Sequence, residues 1–372
     1  MGSVGAERRP RWRLPAFAAV VLVCLAAAPP AAAVGASGGA GPSTAKPARP
    51  PAKSGHPAAV RALSGRGMWI WYVSQSDGGS LSSIASTAHQ YGITTLMIKA
   101  GDGTTAWSQF NSSLVSYLHS QGISACAWQY VYGTHPIFEA EVGAAAVHAG
   151  ADCLLIDAEA EYEGKYVQAQ EYINKLRQLV GPRFPIGLAS FPYVDYHPGL
   201  PYSVFLGPGG GQYDVPQMYW PDIQTTVDAV YTHTYRFNLP YQRPIEPLGE
   251  VAGNPPPGQV ERFRQLSRAY GADNVSWWDW QEASGRDWVA LSRPVGSLAS
   301  FTANPGLPTL SVASKGGLSG GDLVVWVQEH LYSAGQHVSI DGGFGGQTQS
   351  AVRSFQSAHN LPVTGEVDSS TW

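Results

Sequence analysis

From Gly65 onward one rhythm limits what this chain can fold into. Short β-rich apolar runs recur roughly every 30 residues: "MWIWYV" at Met68, "TTLMIKA" at Thr94, "SACAWQYV" at Ser124, "CLLIDAE" at Cys153, "PIGLASF" at Pro185, "YDVPQMYW" at Tyr213, "PIEPLGEV" at Pro244 and "NVSWWDW" at Asn274. Most are separated by segments with helical spacing, as in "KYVQAQEYINKLRQLVG", where Val167, Tyr172, Ile173, Leu176 and Leu179 share a face. Gly92, Gly122, Gly150, Gly181 and Gly271 each precede a run, as expected where a helix closes in the left-handed region before the next strand. Eight such units over about 230 residues predict a (β/α)8 TIM barrel rather than an open doubly wound sheet. The fifth unit, "YHPGLPYSVFLGPGGGQ", is too rich in Pro and Gly for a full helix.

A barrel of parallel strands is buried at its base and open at the C-terminal ends of its strands. "LLIDAEAEYEG", Leu154 to Gly164, runs from apolar into acidic in that order, with Asp157, Glu159, Glu161 and Glu163 spaced two apart. Residues two apart on a strand point the same way, with Cα atoms about 6.6 Å apart. Like charges crowded at a partly desolvated mouth oppose joint ionisation, so one carboxyl is expected to keep its proton at neutral pH. A protonated carboxyl beside an ionised one is the acid/base equipment of glycoside cleavage. Asp157 and Glu159 are the functional pair in this reading. Glu161 and Glu163 are expected to cap the following helix near Lys165.

Composition is compatible with a neutral ligand. The 372 residues carry a formal charge of −4, only 13% are charged, and 12 Trp and 18 Tyr are present, so there is no basic field for nucleic acid. Residues 1–33 read as a secretory signal, with "ERRPRWR", the apolar "AFAAVVLVCLAAA" and an A-x-A site near Ala33. That run is too short to span a membrane, and Cys24 follows Val23 rather than the small residue a lipid anchor needs. Residues 34–65 are a Pro/Ala/Gly-rich linker without the apolar content for a core.

Asp157-Ala158-Glu159 resembles the D-x-E pair that glycoside hydrolase family 25 lysozymes carry at the end of the fourth barrel strand. It is also similar to the D-x-x-D-x-D-x-E signature of family 18 chitinases. Asp152, Asp157 and Glu159 fit that signature, and Leu155 stands where the second Asp belongs. In "QMYW", Gln217 and Tyr219 resemble the Gln-x-Tyr those chitinases use to hold an acetamido group. The resemblance implies Glu159 as general acid, with Asp157 assisting an acetamido group that attacks its own anomeric carbon, and Tyr219 beside them. The first-strand acid of family 25 has no counterpart, since "MWIWYVSQ" contains none and Asp77 comes later.

Other polar residues at strand ends are candidates to line a cleft: Lys99, Asp102, Gln129, Glu250, Asp279 and Gln281. Asp279 lies in "WWDWQE", and of Trp277, Trp278 and Trp280 one, Trp278, is assigned to stack on a sugar. No H-E-x-x-H, Cys/His cluster or G-x-S-x-G occurs, and "GPGGG" lacks the Lys-Ser/Thr of a phosphate loop, so no metal or cofactor is called for. Cys126 and Cys153 fall on adjacent strands and are read as two buried thiols serving as small apolar residues, with a disulfide after export as the alternative.

Residues 301–318 form a second linker, and 319–372 read as two helices separated by glycine turns. Val327-Gln328, Leu331, Gly335, Asp341-Gly342, Phe344-Gly345, Thr348, Ala351-Val352, Phe355-Gln356, Leu361, Gly365, Val367 and Thr371-Trp372 resemble the three-helix peptidoglycan-binding domain of type 1. Most of these are core and turn positions, and the third helix has few residues left to it.

The expectation is therefore a secreted, wall-associated glycoside hydrolase acting on N-acetylated glycan such as peptidoglycan, a monomer with no nucleic acid partner and no membrane contact once the signal is removed. A wall-binding module would raise the barrel's local concentration near its polymer. The alternative is a barrel without catalysis that binds wall glycan.

Overall fold

The computed structural model describes residues 63–298 and 301–372. The signal and nearly all of the first linker lie outside the described residues. Eight parallel strands follow the expected rhythm: β1 (Gly65–Ile70), β2 (Thr95–Asp102), β3 (Ser124–Val131), β4 (Cys153–Ala158), β5 (Ile186–Ser190), β6 (Tyr213–Pro216), β7 (Leu248–Glu250) and β8 (Asn274–Trp278). They pair in the order β6-β5-β4-β3-β2-β1-β8-β7. Isolated parallel bridges Asp214–Ile245 and Gln217–Leu248 join β6 to the β7 run, nearly closing the barrel. β7 is shorter than the run at Pro244 because Pro244 and Pro247 have no N–H to give a ladder.

Helices α1 (Leu81–Tyr91), α2 (Ser112–Ser120), α3 (Pro136–His148), α4 (Tyr166–Val180), α5 (Tyr202–Phe205), α6 (Val227–Asn238), α7 (Pro257–Ala269) and α8 (Gly285–Ser292) fill the intervals. α5 is a single turn, as the fifth unit's composition requires. The five glycines before the strands all have positive φ. On α4 the buried face is Ala169, Tyr172, Ile173 and Leu176, whereas Val167 is 67% exposed because it lies in the first turn, beyond the sheet.

Side chains alternate strictly along the strands. Trp69, Met97, Cys126, Trp128, Cys153, Leu155, Tyr213, Val215 and Leu248 form the barrel interior, while their neighbours Met68, Leu96, Ala127, Leu154, Ile156 and Trp277 belong to the layer between barrel and helices. At Gly67 a Cβ would collide with Met97, so glycine there lets methionine fill the base. Cys126 and Cys153 stand opposite each other in β3 and β4 and are joined by a disulfide. This corrects the buried-thiol reading, since register rather than spacing in sequence brings the sulfurs together.

The tail holds α9 (Asp322–Ser333) and α10 (Gly346–Ala358). The last residues make one turn, with Thr371 N and Trp372 N both donating to the Asp368 carbonyl. Buried Gln328 and Gln356 stitch the glycine turns. Gln328 Nε2 donates to Asp341 Oδ1, the Gly343 carbonyl and Thr348 Oγ1, and Gln356 Oε1 accepts from Gly365 N. Packing of this unit begins before residue 319. Leu310 and Val367 exchange two backbone hydrogen bonds, and Trp372 Nε1 donates to the Pro308 carbonyl.

The tail is docked on the barrel. Asp322, 1% exposed, accepts from Ser203 N (2.8 Å), Ser203 Oγ (2.7 Å) and Tyr241 Oη (2.7 Å), and its own amide donates to the Pro198 carbonyl. Trp326 Nε1 donates to the Pro240 carbonyl at 2.8 Å, with its ring 5.4 Å from that of Tyr241. These contacts differ from the tether expected from composition.

Candidate active site

Alternation along β4 decides where the acids point. Cys153 and Leu155 face the interior, so Asp157 does too, capping the apolar column at the C-terminal mouth. The strand ends at Ala158, and Glu159 follows with φ −125° and ψ −149°, extended enough to stay on the Asp157 side. From β6 the same parity, Tyr213 and Val215 inward, brings in Gln217 and Tyr219. Gln217 Nε2 donates to Asp157 Oδ1 at 2.9 Å and to Glu159 Oε1 at 3.0 Å, so a single amide faces both carboxyls.

Asp157 is 6% exposed and Glu159 half-buried. Burial, and then the neighbouring Glu159, push Asp157 well above the usual carboxyl range, against the opposing charge of Lys99. Burial also raises Glu159, with the Gln217 hydrogen bond opposing it. The pair thus holds a proton where isolated carboxyls would have lost theirs. Tyr219 is pushed well above 10 by burial and then by Asp157, Glu159, Glu250 and Asp279.

Asp279 is raised to about 7 and Glu250 to about 8, in both cases chiefly by burial. Asp279 Oδ1 also accepts from Glu282 N at 3.1 Å. Trp278 turns inward and meets Trp69, Trp71 and Trp128 at centroid distances of 5.6 to 6.1 Å. Trp277 packs outward on Phe263 and Trp280 on Trp288.

Gln129 does not join the site. Its neighbours Trp128 and Tyr130 face inward, so Gln129 faces outward, donating to the Gly103 and Glu139 carbonyls and accepting from Tyr172 Oη. The acids expected as helix caps do other work. Glu161 accepts from Tyr130 Oη at 2.7 Å, Glu163 pairs with His197 at 3.2 Å, and no side chain caps α4. Asp152 accepts from Ala125 N and pairs with His119. Gln281 holds the β1 loop through Tyr72 O.

Lys99 is the residue whose setting sequence did not reveal. It is 2% exposed, with Nζ 4.7, 4.8 and 4.7 Å from the ring centres of Trp71, Trp107 and Trp128 and 2.6 Å from Asp102 Oδ2. Aromatic faces and one carboxylate replace its water. The inward parity of Met97 is the signal that would have found it.

With a parallel barrel and paired acids at its mouth, the central region belongs by architecture to the TIM-barrel class. Residues 320–372 match the family model described as "Putative peptidoglycan binding domain". No curated protein matches this chain. Similar solved structures include a chitinase from Chromobacterium violaceum ATCC 12472 (11% identity, 61% of this chain and 98% of that one, TM-score 0.42). They also include the endo-1,4-beta-mannanase of Rhizomucor miehei (8%, 58% and 86%, 0.46) and the spore cortex-lytic enzyme SleL of Bacillus cereus (8%, 63% and 75%, 0.43). At such values these likenesses carry no argument about chemistry.

Proposed function

We propose that this chain is a secreted, wall-associated glycoside hydrolase cleaving an N-acetylated glycan of the peptidoglycan type. The observation that carries the reading is the grip of Gln217 on both Asp157 and Glu159 at the barrel mouth, 2.9 and 3.0 Å away. Glu159, the less buried acid, is the one a glycosidic oxygen reaches. It donates the shared proton to that oxygen as the bond to the anomeric carbon breaks. The substrate's acetamido oxygen bonds to the same carbon, with Asp157 and Tyr219 holding the acetamide, and water later opens that ring with Glu159 as base. Trp278 offers a stacking face beneath the sugar, while Asp279 and Glu250 line the far side. The tail module keeps the barrel on its polymer.

One observation favours a binding-only barrel: Asp157 is nearly sealed, and Leu155, fully buried, replaces a carboxyl beneath it. Glu159→Gln decides between the two. The hydrolase reading expects release of reducing ends from purified walls to fall by roughly 10²- to 10⁴-fold with wall binding intact. Turnover unchanged in this variant, or absent from the parent at every pH, overturns it.

A further inference from the structure

The loop after β5 carries rings that the acid pair does not use. Tyr193 lies 3.9 Å from His233 and meets Tyr196 edge-on at 5.3 Å, and Tyr196 is 68% exposed. Beside them stands Asp195, paired with His233 at 2.7 Å. An aromatic face whose neighbouring carboxylate is already paired suits a sugar ring better than a wholly apolar partner.

The loop is also fixed before any ligand arrives. Gly164 N donates to the Gly199 carbonyl and Tyr202 Oη to the Phe191 carbonyl, and His197 stacks on Phe191 at 3.6 Å while pairing with Glu163. Its position joins two places. His197 pairs with Glu163, just past Glu159 in the same loop, and the next residue, Pro198, accepts from Asp322 N at the start of α9.

We propose that Tyr193 and Tyr196 form an aromatic ledge binding an N-acetylated glycan strand between the barrel mouth and the docked tail, so that both halves hold one strand in fixed register. The ledge rests on the hydrolase reading only for its substrate class. A pre-set ring costs little ordering on binding, unlike a module on a free tether.

The test uses the full chain carrying Glu159→Gln, with and without Tyr196→Ala, and measures Kd for soluble N-acetylglucosamine hexamer and dimer. The ledge expects hexamer binding to weaken roughly 3- to 10-fold on loss of the ring, with the dimer affected less and Tyr196→Trp restoring the hexamer value. Equal hexamer affinity with and without Tyr196, or equal losses for hexamer and dimer, overturns the ledge while leaving the acid pair untouched. Absence of oligomer binding in every variant overturns the ledge as well. Ring-dependent binding in a parent that releases no sugar ends supports the ledge and sinks the hydrolase reading.

Discussion

Gln217 stands between Asp157 and Glu159 and donates to both, which favours their ionised forms. Replacing it by Leu removes that donor while burial stays, so both carboxyls move further up, although Lys99 still holds Asp157 down. Both limbs of the pH profile of kcat/KM should shift to higher pH, and limbs that stay in place or move down would show that the amide does not govern the pair. Asp157, Glu159, Gln217 and Tyr219 were legible because period-two alternation alone sends them inward once the apolar residues beneath them are known. Gln129 was misread for want of the same count, since it sits between inward Trp128 and Tyr130. The inward direction of Lys99 could be counted from Met97, but its aromatic surroundings were not legible, because the three tryptophans come from just past β1, from β3 and from the loop after β2, and no local pattern places them together.

β3 and β4 are joined twice, by a ladder running from Cys126–Cys153 to Val131–Ala158 and by the disulfide at its first rung. The bridge closes 27 residues including α3, so by restricting the unfolded chain it contributes about 2–4 kcal/mol. The Cys126→Ala/Cys153→Ala variant should lose about 2–4 kcal/mol of unfolding free energy in urea, with a lower midpoint and a steeper denaturant slope because its unfolded chain is less restricted, and equal midpoints would mean that the strand pairing alone suffices. The eight strands and the one-turn α5 were readable from periodicity, glycine and proline. Inter-strand register was not, which is why the sulfur pairing escaped. The segment from Pro308 to Leu318 looked like a linker because it is rich in Gly and Ser, yet Leu310 finds Val367 some 57 residues on, a pairing that composition cannot show.

The molecule as a whole buries carboxyls in both halves, and burial raises each of them: Asp214 and Asp279 to about 7, Glu246 and Glu250 to about 8, Asp322 to about 6 and Glu329 to about 7. The native state therefore binds more protons than the unfolded chain between the ordinary carboxyl range and about pH 8. Stability from these groups is fully present below about pH 4 and is lost as pH rises through 6 to 8. Asp322 also lies in the joint between barrel and tail, so its ionisation strains that joint. Burial raises Asp322 to about 6 even with the donors from Ser203 and Tyr241 pulling it down, and that net rise corresponds to roughly 3 kcal/mol. Raising the pH from 5 to 8 should lower the urea midpoint of the full chain and speed hydrogen exchange at the Ser203 amide, which bonds across the joint. Asp322→Asn cannot ionise, so the exchange rate at Ser203, corrected for intrinsic chemistry, should lose most of its pH dependence. A wild-type joint equally protected at both pH values would show that its hydrogen bonds outweigh the cost of the buried charge, leaving barrel and tail locked across the whole range.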